Sequence, residues 1–108
     1  MSYFGTVDPN RYTEPHGSVN YSIFYDENTP IPGASASAAI YLNNEYPAPG
    51  VHEDNEGFFV YEGTGFSRVG EQEQAIRPGC CFYAPAGTPH QIKKASDCVE
   101  LKIFLFHF

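Results

Sequence analysis

Long apolar stretches are missing from this sequence. No run approaches the roughly 18 consecutive apolar residues that a membrane-spanning helix requires, which argues against a membrane protein. The opening residues, MSYFGTVDPNRY, also lack the basic segment followed by an apolar core that marks a secretory signal. We therefore expect a soluble, cytoplasmic protein.

Basic residues are scarce and scattered. The chain carries six lysine and arginine residues against 13 aspartate and glutamate residues, for a formal net charge of −7. Only Lys93 and Lys94 are adjacent, so no basic surface is expected that could contact a phosphate backbone. This distribution excludes nucleic acid as the main partner.

Cysteines are too few and too badly spaced for a cysteine-rich metal or redox motif. There are three, and Cys80 and Cys81 are neighbours that are poorly placed to bridge each other. Cys98 could in principle pair with one of them. No CxxC motif is present, so neither a zinc ribbon nor a thioredoxin-like site is supported. We expect three reduced thiols.

A helical hydrophobic period is absent as well. No window of about 11 or more residues repeats apolar side chains at helical spacing, whereas ten glycines and nine prolines divide the chain into short segments. Segments rich in β-formers lie at 18–25, 34–44, 57–63, 65–79 (a hairpin), 80–85, 90–94 and 99–108. They predict an all-β sandwich or barrel over residues 18–108, preceded by an irregular arm over residues 1–17.

Two predicted strands have faces that can be assigned from their alternation. In residues 34–44 the apolar face carries Ala36, Ala38, Ile40 and Leu42. In residues 99–108 one face carries Val99, Leu101, Ile103, Leu105 and His107, and the other carries Phe104, Phe106 and Phe108. A strand with two apolar faces is expected to be sandwiched or to lie at a homodimer contact.

Polar residues that could bind a metal occur in the stretch GVHEDNEG, residues 50–57. If His52 ends one strand and Glu56 starts the next, the two side chains oppose each other on one face of a hairpin, with Cβ atoms roughly 5 Å apart. The pair alone is more typical of a solvated charged turn. A third candidate ligand, His90, directly follows the turn APAGTP at the start of another predicted strand.

The spacings in these two segments resemble the two motifs of the cupin superfamily, which are small jelly-roll β-barrels. In the first segment three residues separate His52 from Glu56, and six separate Glu56 from Gly63. The second segment carries Gly79, Pro85, Gly87 and His90 at the spacings of the second cupin motif. The resemblance covers roughly residues 45–95 and implies a single-domain cupin barrel.

Two positions depart from the cupin pattern. Lys94 stands where the second motif usually has Asn, a position that is not usually a ligand. Gly50 stands where the first motif usually has another His, two residues before His52. Residues i and i+2 of a strand share a face, so position 50 is expected to point inward beside His52, where Gly offers no side chain. The family's set of three His and one Glu is therefore reduced to His52, Glu56 and His90.

Two histidines and one carboxylate are a sufficient set for a catalytic metal. Such a triad suits non-haem Fe(II), and Zn²⁺, Mn²⁺, Ni²⁺ and Co²⁺ are also compatible. The resemblance therefore implies a metal-dependent enzyme that acts on a small molecule, a dioxygenase or an isomerase or lyase. The alternative is a non-catalytic cupin that binds a sugar or another small metabolite without metal. Single-domain cupins commonly form homodimers, which we also expect here.

Alternation extends the predicted site to a pocket lining. If Glu56 and His90 face inward, their neighbours at two-residue spacing do too. The candidates are Gly50, Phe58, Val60, Ile92 and Tyr83, although alternation alone leaves the face of Tyr83 open. Tyr41 and Tyr83 could supply hydroxyl groups. For two further histidines the ordinary interpretations are favoured: an exposed arm residue for His16, with a fold over the barrel mouth as the alternative, and a core or interface residue for His107.

Overall fold

A computed structural model of the protein describes residues 2–108. Its regular structure consists of short antiparallel strands, as the sequence predicts. They are β1 (Tyr12–Thr13), β2 (Ser18–Phe24), β3 (Ser35–Tyr41), β4 (Glu56–Glu62), β5 (Gly65–Val69), β6 (Gln72–Ile76), β7 (Cys81–Ala84), β8 (His90–Lys94) and β9 (Leu101–His107). The all-β prediction is confirmed.

The strands form two sheets whose order differs from the chain order. One sheet runs β1-β2-β3-β9-β4-β7 and the other runs β6-β5-β8. The last strand, β9, lies between β3 and β4, so the chain returns from the second sheet into the middle of the first. A single bridge between Gly50 and His90 joins the segment before β4 to the start of β8. This crossing of the chain between sheets is the jelly-roll arrangement.

The core lies between the sheets and is filled by the inward face of each strand. Phe58, Val60, Leu101 and Ile103 are its largest fully buried side chains. The other buried apolar residues are Ala39, Tyr41, Ile76, Ala84, Ile92 and Leu105. Since a buried Val, Leu, Ile or Phe side chain contributes roughly 1.5–3 kcal/mol, the inner face of β9 is a main source of stability.

The predicted inward face of β3 is wrong, although its two-residue period is right. Leu42 is 52% exposed, whereas Ala39 and Tyr41 are 0% and 7% exposed. Ala39 pairs with Ile103 across the β3–β9 ladder, and opposed residues point to the same side of a sheet. The strand SASAAIY carries small side chains on both faces, so its composition could not select the phase.

The N-terminal arm is less irregular than expected. Residues 12–13 form β1, which pairs with β2 in the register Tyr12↔Tyr21 and Thr13↔Asn20. The hairpin between them places residues 14–17 beside the barrel. The division of the chain at residue 17 stays a prediction, and Met1 lies outside the described residues.

The three cysteines, Cys80, Cys81 and Cys98, are unpaired, in agreement with the expected reduced thiols. Cys98 donates its thiol hydrogen to the carbonyl of Glu100. Over residues 2–108 the structure shows no helix that could span a membrane.

Close packing against a neighbouring strand and the facing sheet makes Gly65 sensitive to substitution. A Cβ on Gly65 would press on the carbonyl oxygen of Lys93 and lie 2.8 Å from Leu101 Cδ2. We expect Gly65→Ala to lower the free energy of unfolding by about 1–3 kcal/mol, because an added methyl group displaces backbone at a packed position. Urea unfolding measures the change. Ala75→Ser, at an exposed position of the adjoining strand, serves as the control and should stay within about 0.5 kcal/mol of the parent.

Candidate metal centre

A cavity of about 370 Å³ lies between the two sheets. Strands β2, β3, β4 and β9 line one side, and β8 and the segment before β4 line the other. The lining residues are Pro15, His16, Ser18, Asn20, Tyr41, Pro47, Pro49, Gly50, Val51, His52, Glu56, Phe58, His90, Gln91, Ile92, Leu105 and His107. Its volume is within the range of small-molecule sites, near the lower end.

Glu56 lies at the centre of the polar part of this cavity. It is the first residue of β4 and is only 6% exposed. Its Oε1 atom is 2.9 Å from His52 Nε2 and 3.0 Å from His90 Nε2. The three residues predicted as ligands are therefore brought together around one carboxylate oxygen.

His52 reaches this position from a loop and not from a strand end, contrary to the expected hairpin. Only the Gly50–His90 bridge is regular in this segment. The loop is held in place because Gly87 donates its N–H to the His52 carbonyl at 2.8 Å. The predicted meeting of His52 and Glu56 is thus reached through a different local structure.

Both imidazoles are oriented by their second nitrogen. His52 Nδ1 lies 2.6 Å from Asp54 Oδ1, and His90 Nδ1 lies 3.0 Å from the carbonyl oxygen of Thr88. A proton on Nδ1 satisfies these contacts and leaves Nε2 as the atom directed into the cavity. Metal-binding histidines in proteins are usually held by such a second contact.

The geometry of the three side chains fits a metal ion. The two Nε2 atoms and one Glu56 oxygen all lie within 4.8 Å of one another. With metal–ligand bonds of about 2.0–2.2 Å, two ligands at right angles are separated by about 3.0 Å, which matches the two contacts of Glu56 Oε1. His52, Glu56 and His90 therefore fit the ligand set of a divalent transition metal.

His107 belongs to the same polar group, so its interpretation as a core or interface residue is wrong. It lies directly opposite Glu56 in the β4–β9 ladder. Its Nε2 is 3.3 Å from Glu56 Oε2, and its Nδ1 is 3.0 Å from Asp54 Oδ2. The alternation of β9 already placed His107 on the inward face. Recognising it as a site residue would have required knowing that β9 pairs with β4.

The charges in this group support one another. Burial raises the pKa of Glu56, but hydrogen bonds and charge from His107, His90 and His52 outweigh burial and lower this pKa to about 2. Burial lowers the pKa of His90, yet contact with Glu56 and the Thr88 carbonyl leaves it above its usual value. The Glu56 hydrogen bond raises the pKa of His107, with burial opposing and Asp54 assisting. Glu56 is ionised throughout the physiological range.

Three of the predicted lining residues border the cavity: Gly50, Phe58 and Ile92. Val60 is buried at 0% exposure in the core and is not part of the cavity wall. It shares the inward face with Phe58, but it lies one step further along β4, where the core has closed.

Tyr83 does not line the cavity, so its prediction as a lining residue is wrong. It is 57% exposed and pairs with Gly57, whose face of β4 is opposite to that of Glu56. Its ring packs edge-on against Phe106 and Phe108 on the outside of the sheet. The register of β7 on β4 decides this orientation, and the sequence CCFYA does not reveal that register.

Tyr41 is the tyrosine that does border the cavity. It is 7% exposed, and burial, together with the negative charge of Glu56, raises the pKa of its hydroxyl. The hydroxyl therefore keeps its proton and can donate a hydrogen bond into the cavity.

One protein-family model matches the part of the chain that contains both motifs and the three candidate ligands. The model is described as "Cupin domain" and matches residues 40–107. The chain is a cupin. The fold predicted from the two motifs is thereby confirmed. No curated protein matches the chain at significant sequence similarity.

Solved structures share this cupin's fold at low sequence identity. The plu4264 protein from Photorhabdus luminescens has a TM-score of 0.78 at 12% identity and covers 100% of this chain and 88% of its own. KdgF from Halomonas sp. has a TM-score of 0.75 at 18% identity, covering 99% of this chain and 94% of its own. The Fe(II) form of HppE has a TM-score of 0.70 at 16% identity, and the match covers 96% of this chain and 64% of the HppE chain. These likenesses establish the fold and not the activity.

The ion pairs that Glu56 forms with His90 and His107 predict a pH optimum for the stability of the metal-free cupin. Glu56 stabilises the fold above its ordinary pKa of 4.5, and this contribution is lost as the pH falls toward about 2. His90 and His107 contribute fully below their ordinary pKa of 6.5, and their contribution is lost as the pH rises through their higher folded-state values. The contribution of the group should therefore be greatest between about pH 4.5 and 6.5.

Urea unfolding across this range, in the presence of a chelator, measures the effect. His107→Gln should reduce the loss of stability above about pH 6.5, because one raised histidine pKa is removed. A parent protein whose free energy of unfolding rises steadily between about pH 6 and 8 would contradict the assignment.

Proposed function

We propose that this cupin is a metal-dependent enzyme for a small molecule, with His52, Glu56 and His90 as the metal ligands. The observation that carries the proposal is the convergence of two Nε2 atoms on Glu56 Oε1 at 2.9 and 3.0 Å. Contacts to Nδ1 hold both imidazoles in this orientation. A merely charged surface turn would not bury its carboxylate to 6% exposure.

The donor set favours a divalent transition metal, among Fe, Mn, Ni and Zn. Two imidazoles and one carboxylate form the facial triad typical of non-haem Fe(II) sites, and the same set serves catalytic zinc. The shared fold with the Fe(II) form of HppE makes iron the first ion to test. When bound, such a metal polarises an oxygen group or activates water or O₂.

The cavity sets the class of substrate. Its walls include Phe58, Ile92 and Leu105, and its lining contains no lysine or arginine among residues 2–108. Without a guanidinium or ammonium group, the site has no dedicated partner for a phosphate. The volume and the polar floor suit a small organic molecule with an oxygen that can approach the metal, and the Tyr41 hydroxyl can donate a hydrogen bond to it. We propose a dioxygenase or an isomerase or lyase reaction on this class.

Asp54 and His107 have a positioning role in this proposal. His107 contacts Glu56 Oε2 and Asp54, while Asp54 also contacts His52 Nδ1. The Oε1 atom of Glu56 is thereby left to bind the metal together with His52 and His90. Residues that orient ligands in this way typically affect metal affinity about 10- to 100-fold.

Metal content tests the proposal directly. Protein purified without added metal, and protein reconstituted with Fe(II) or Zn²⁺, should hold close to one equivalent, because three preorganised ligands suffice. His90→Ala should lose most of this metal. Tyr41→Phe changes the same cavity without removing a ligand and should retain it. Less than about a tenth of an equivalent in the parent protein, unchanged on reconstitution, would contradict the proposal.

The second candidate function is metal-free binding of a sugar or another small metabolite. It is favoured by the fact that Glu56 already has three histidine partners, so its charge is compensated without a metal. This function predicts a ligand-dependent rise in melting temperature that persists in a chelator. A rise that the chelator abolishes would favour the metal-dependent enzyme instead.

We also propose that the protein forms homodimers through the outer face of its larger sheet. Aromatic side chains cover that face: Phe59, Tyr61, Tyr83, Phe104, Phe106 and Phe108. Light scattering is expected to give the mass of a dimer, and Phe59→Lys should shift it toward the monomer, because a charge in an apolar contact is costly. Tyr3→Lys, at a position that is 80% exposed, is the control. A monomeric parent protein would contradict this proposal.

A further inference from the structure

The position of the missing motif histidine faces the metal centre. A Cβ on Gly50 would lie 3.2 Å from His90 Nε2 and 3.6 Å from His16 Nε2. These neighbours are the ends of side chains and not backbone. A side chain at position 50 would therefore enter the cavity, and an imidazole from another part of the chain already approaches that space.

His16 reaches this space from the tip of the first hairpin. Pro15 and Ser18 close a two-residue turn, in which Ser18 N–H donates to the Pro15 carbonyl at 3.0 Å. The central residues, His16 and Gly17, have φ values of 52° and 78°, which define a type I′ turn. Asparagine, aspartate and glycine are the preferred first residues of such a turn, and histidine also tolerates a positive φ better than most residues do. The turn thus holds the imidazole of His16 at the tip of the hairpin.

The tip of the hairpin is fixed against the barrel. Leu42 donates its N–H to the Gly17 carbonyl at 3.4 Å, and a Cβ on Gly17 would lie 2.7 Å from the Asn43 side chain. Asn43 in turn donates to the Ile92 carbonyl at 3.0 Å, on the strand that begins with His90. The backbone of His16 is therefore positioned relative to the metal centre.

We propose that His16 supplies the imidazole that the first cupin motif lacks, completing a set of three histidines and one glutamate with His52, Glu56 and His90. This inference rests on the proposed metal binding. The distance of His16 Nε2 from the position-50 Cβ resembles the separation of Cβ and Nε2 within one histidine side chain. The nitrogen thus lies about as far from position 50 as the motif histidine would have placed it.

The proposal requires the His16 ring to turn further into the cavity when metal binds. Its nitrogen is not within 4.8 Å of all three other ligand atoms. The ring is exposed, and among residues 2–108 it takes part in no side-chain hydrogen bond, so rotation about its side-chain torsions breaks no contact of that kind.

Substitution by asparagine separates the imidazole from the turn. His16→Asn keeps a residue that favours positive φ, so the metal-free melting temperature should be unchanged or higher. The affinity for Co²⁺ and Zn²⁺ should fall about tenfold or more, since ligand-orienting contacts alone account for 10- to 100-fold. The visible absorption of bound Co²⁺ should change, because it reports the number and type of ligands. Glu14→Gln, on the same hairpin but outside the cavity, should leave both readouts unaltered.

Moving the histidine back to the motif position provides the decisive comparison. Gly50 has no positive φ, so its backbone accepts a side chain, and His16→Asn removes one of its two nearest neighbours. The double variant with Gly50→His should recover the lost affinity and a parent-like Co²⁺ spectrum. If the double variant does not fold, the Co²⁺ spectrum of His16→Asn decides alone.

The outcomes separate this inference from the proposed function. A parent protein that binds no metal overturns the metal site itself. A parent that binds metal, with His16→Asn equal to it in affinity and spectrum, overturns only the role of His16. Loss of affinity in His16→Asn that a folded Gly50→His double variant does not recover also overturns it, because the imidazole would not have been the missing group.

Discussion

The arrangement of this cupin depends on one buried carboxylate. Removing an ionised side chain from water is costly unless it is paired and hydrogen-bonded. Glu56 is 6% exposed, and three imidazoles from three segments compensate it: His52 from a loop, His90 from β8 and His107 from β9. The same contacts that satisfy the charge therefore hold the two sheets and the intervening loop at one end of the cavity.

Strand β9 connects this polar group with the rest of the barrel. Its inward face runs from the core residues Leu101 and Ile103 to His107 beside Glu56. Its outward face contributes the stacked rings of Phe104 and Phe106. Gly57 makes this arrangement possible, since any side chain there would collide with the Phe106 ring. One strand thus orders the core, the site and the aromatic surface together.

Much of this structure could be predicted from local sequence, and the errors on the face of β3, on Tyr83 and on His107 concern non-local pairing. Glycine and proline spacing and two-residue alternation predicted most strands, and the motif spacings predicted the convergence of His52, Glu56 and His90. The phase of β3 and the orientation of Tyr83 depend on the registers of β3 on β9 and of β7 on β4. A strand pattern contains its own period, but the partner that fixes its phase lies elsewhere in the chain. His107 escaped recognition for the same reason.

In the proposed metal site, the histidine partners of Glu56 would also link metal binding to protons. In the metal-free protein His90 and His107 have raised pKa values because they face an ionised carboxylate. A metal ligand must be deprotonated, so a metal that binds through His90 has to displace any proton held there. The paired group keeps the cavity preformed in the absence of metal, which lowers the conformational cost of binding. The ion pairs also favour a proton on the His90 nitrogen that the metal would bind. Their strength therefore limits the metal affinity at acid pH. A further imidazole in the space where Gly50 replaces the motif histidine would offset that competition without adding charge to the cavity.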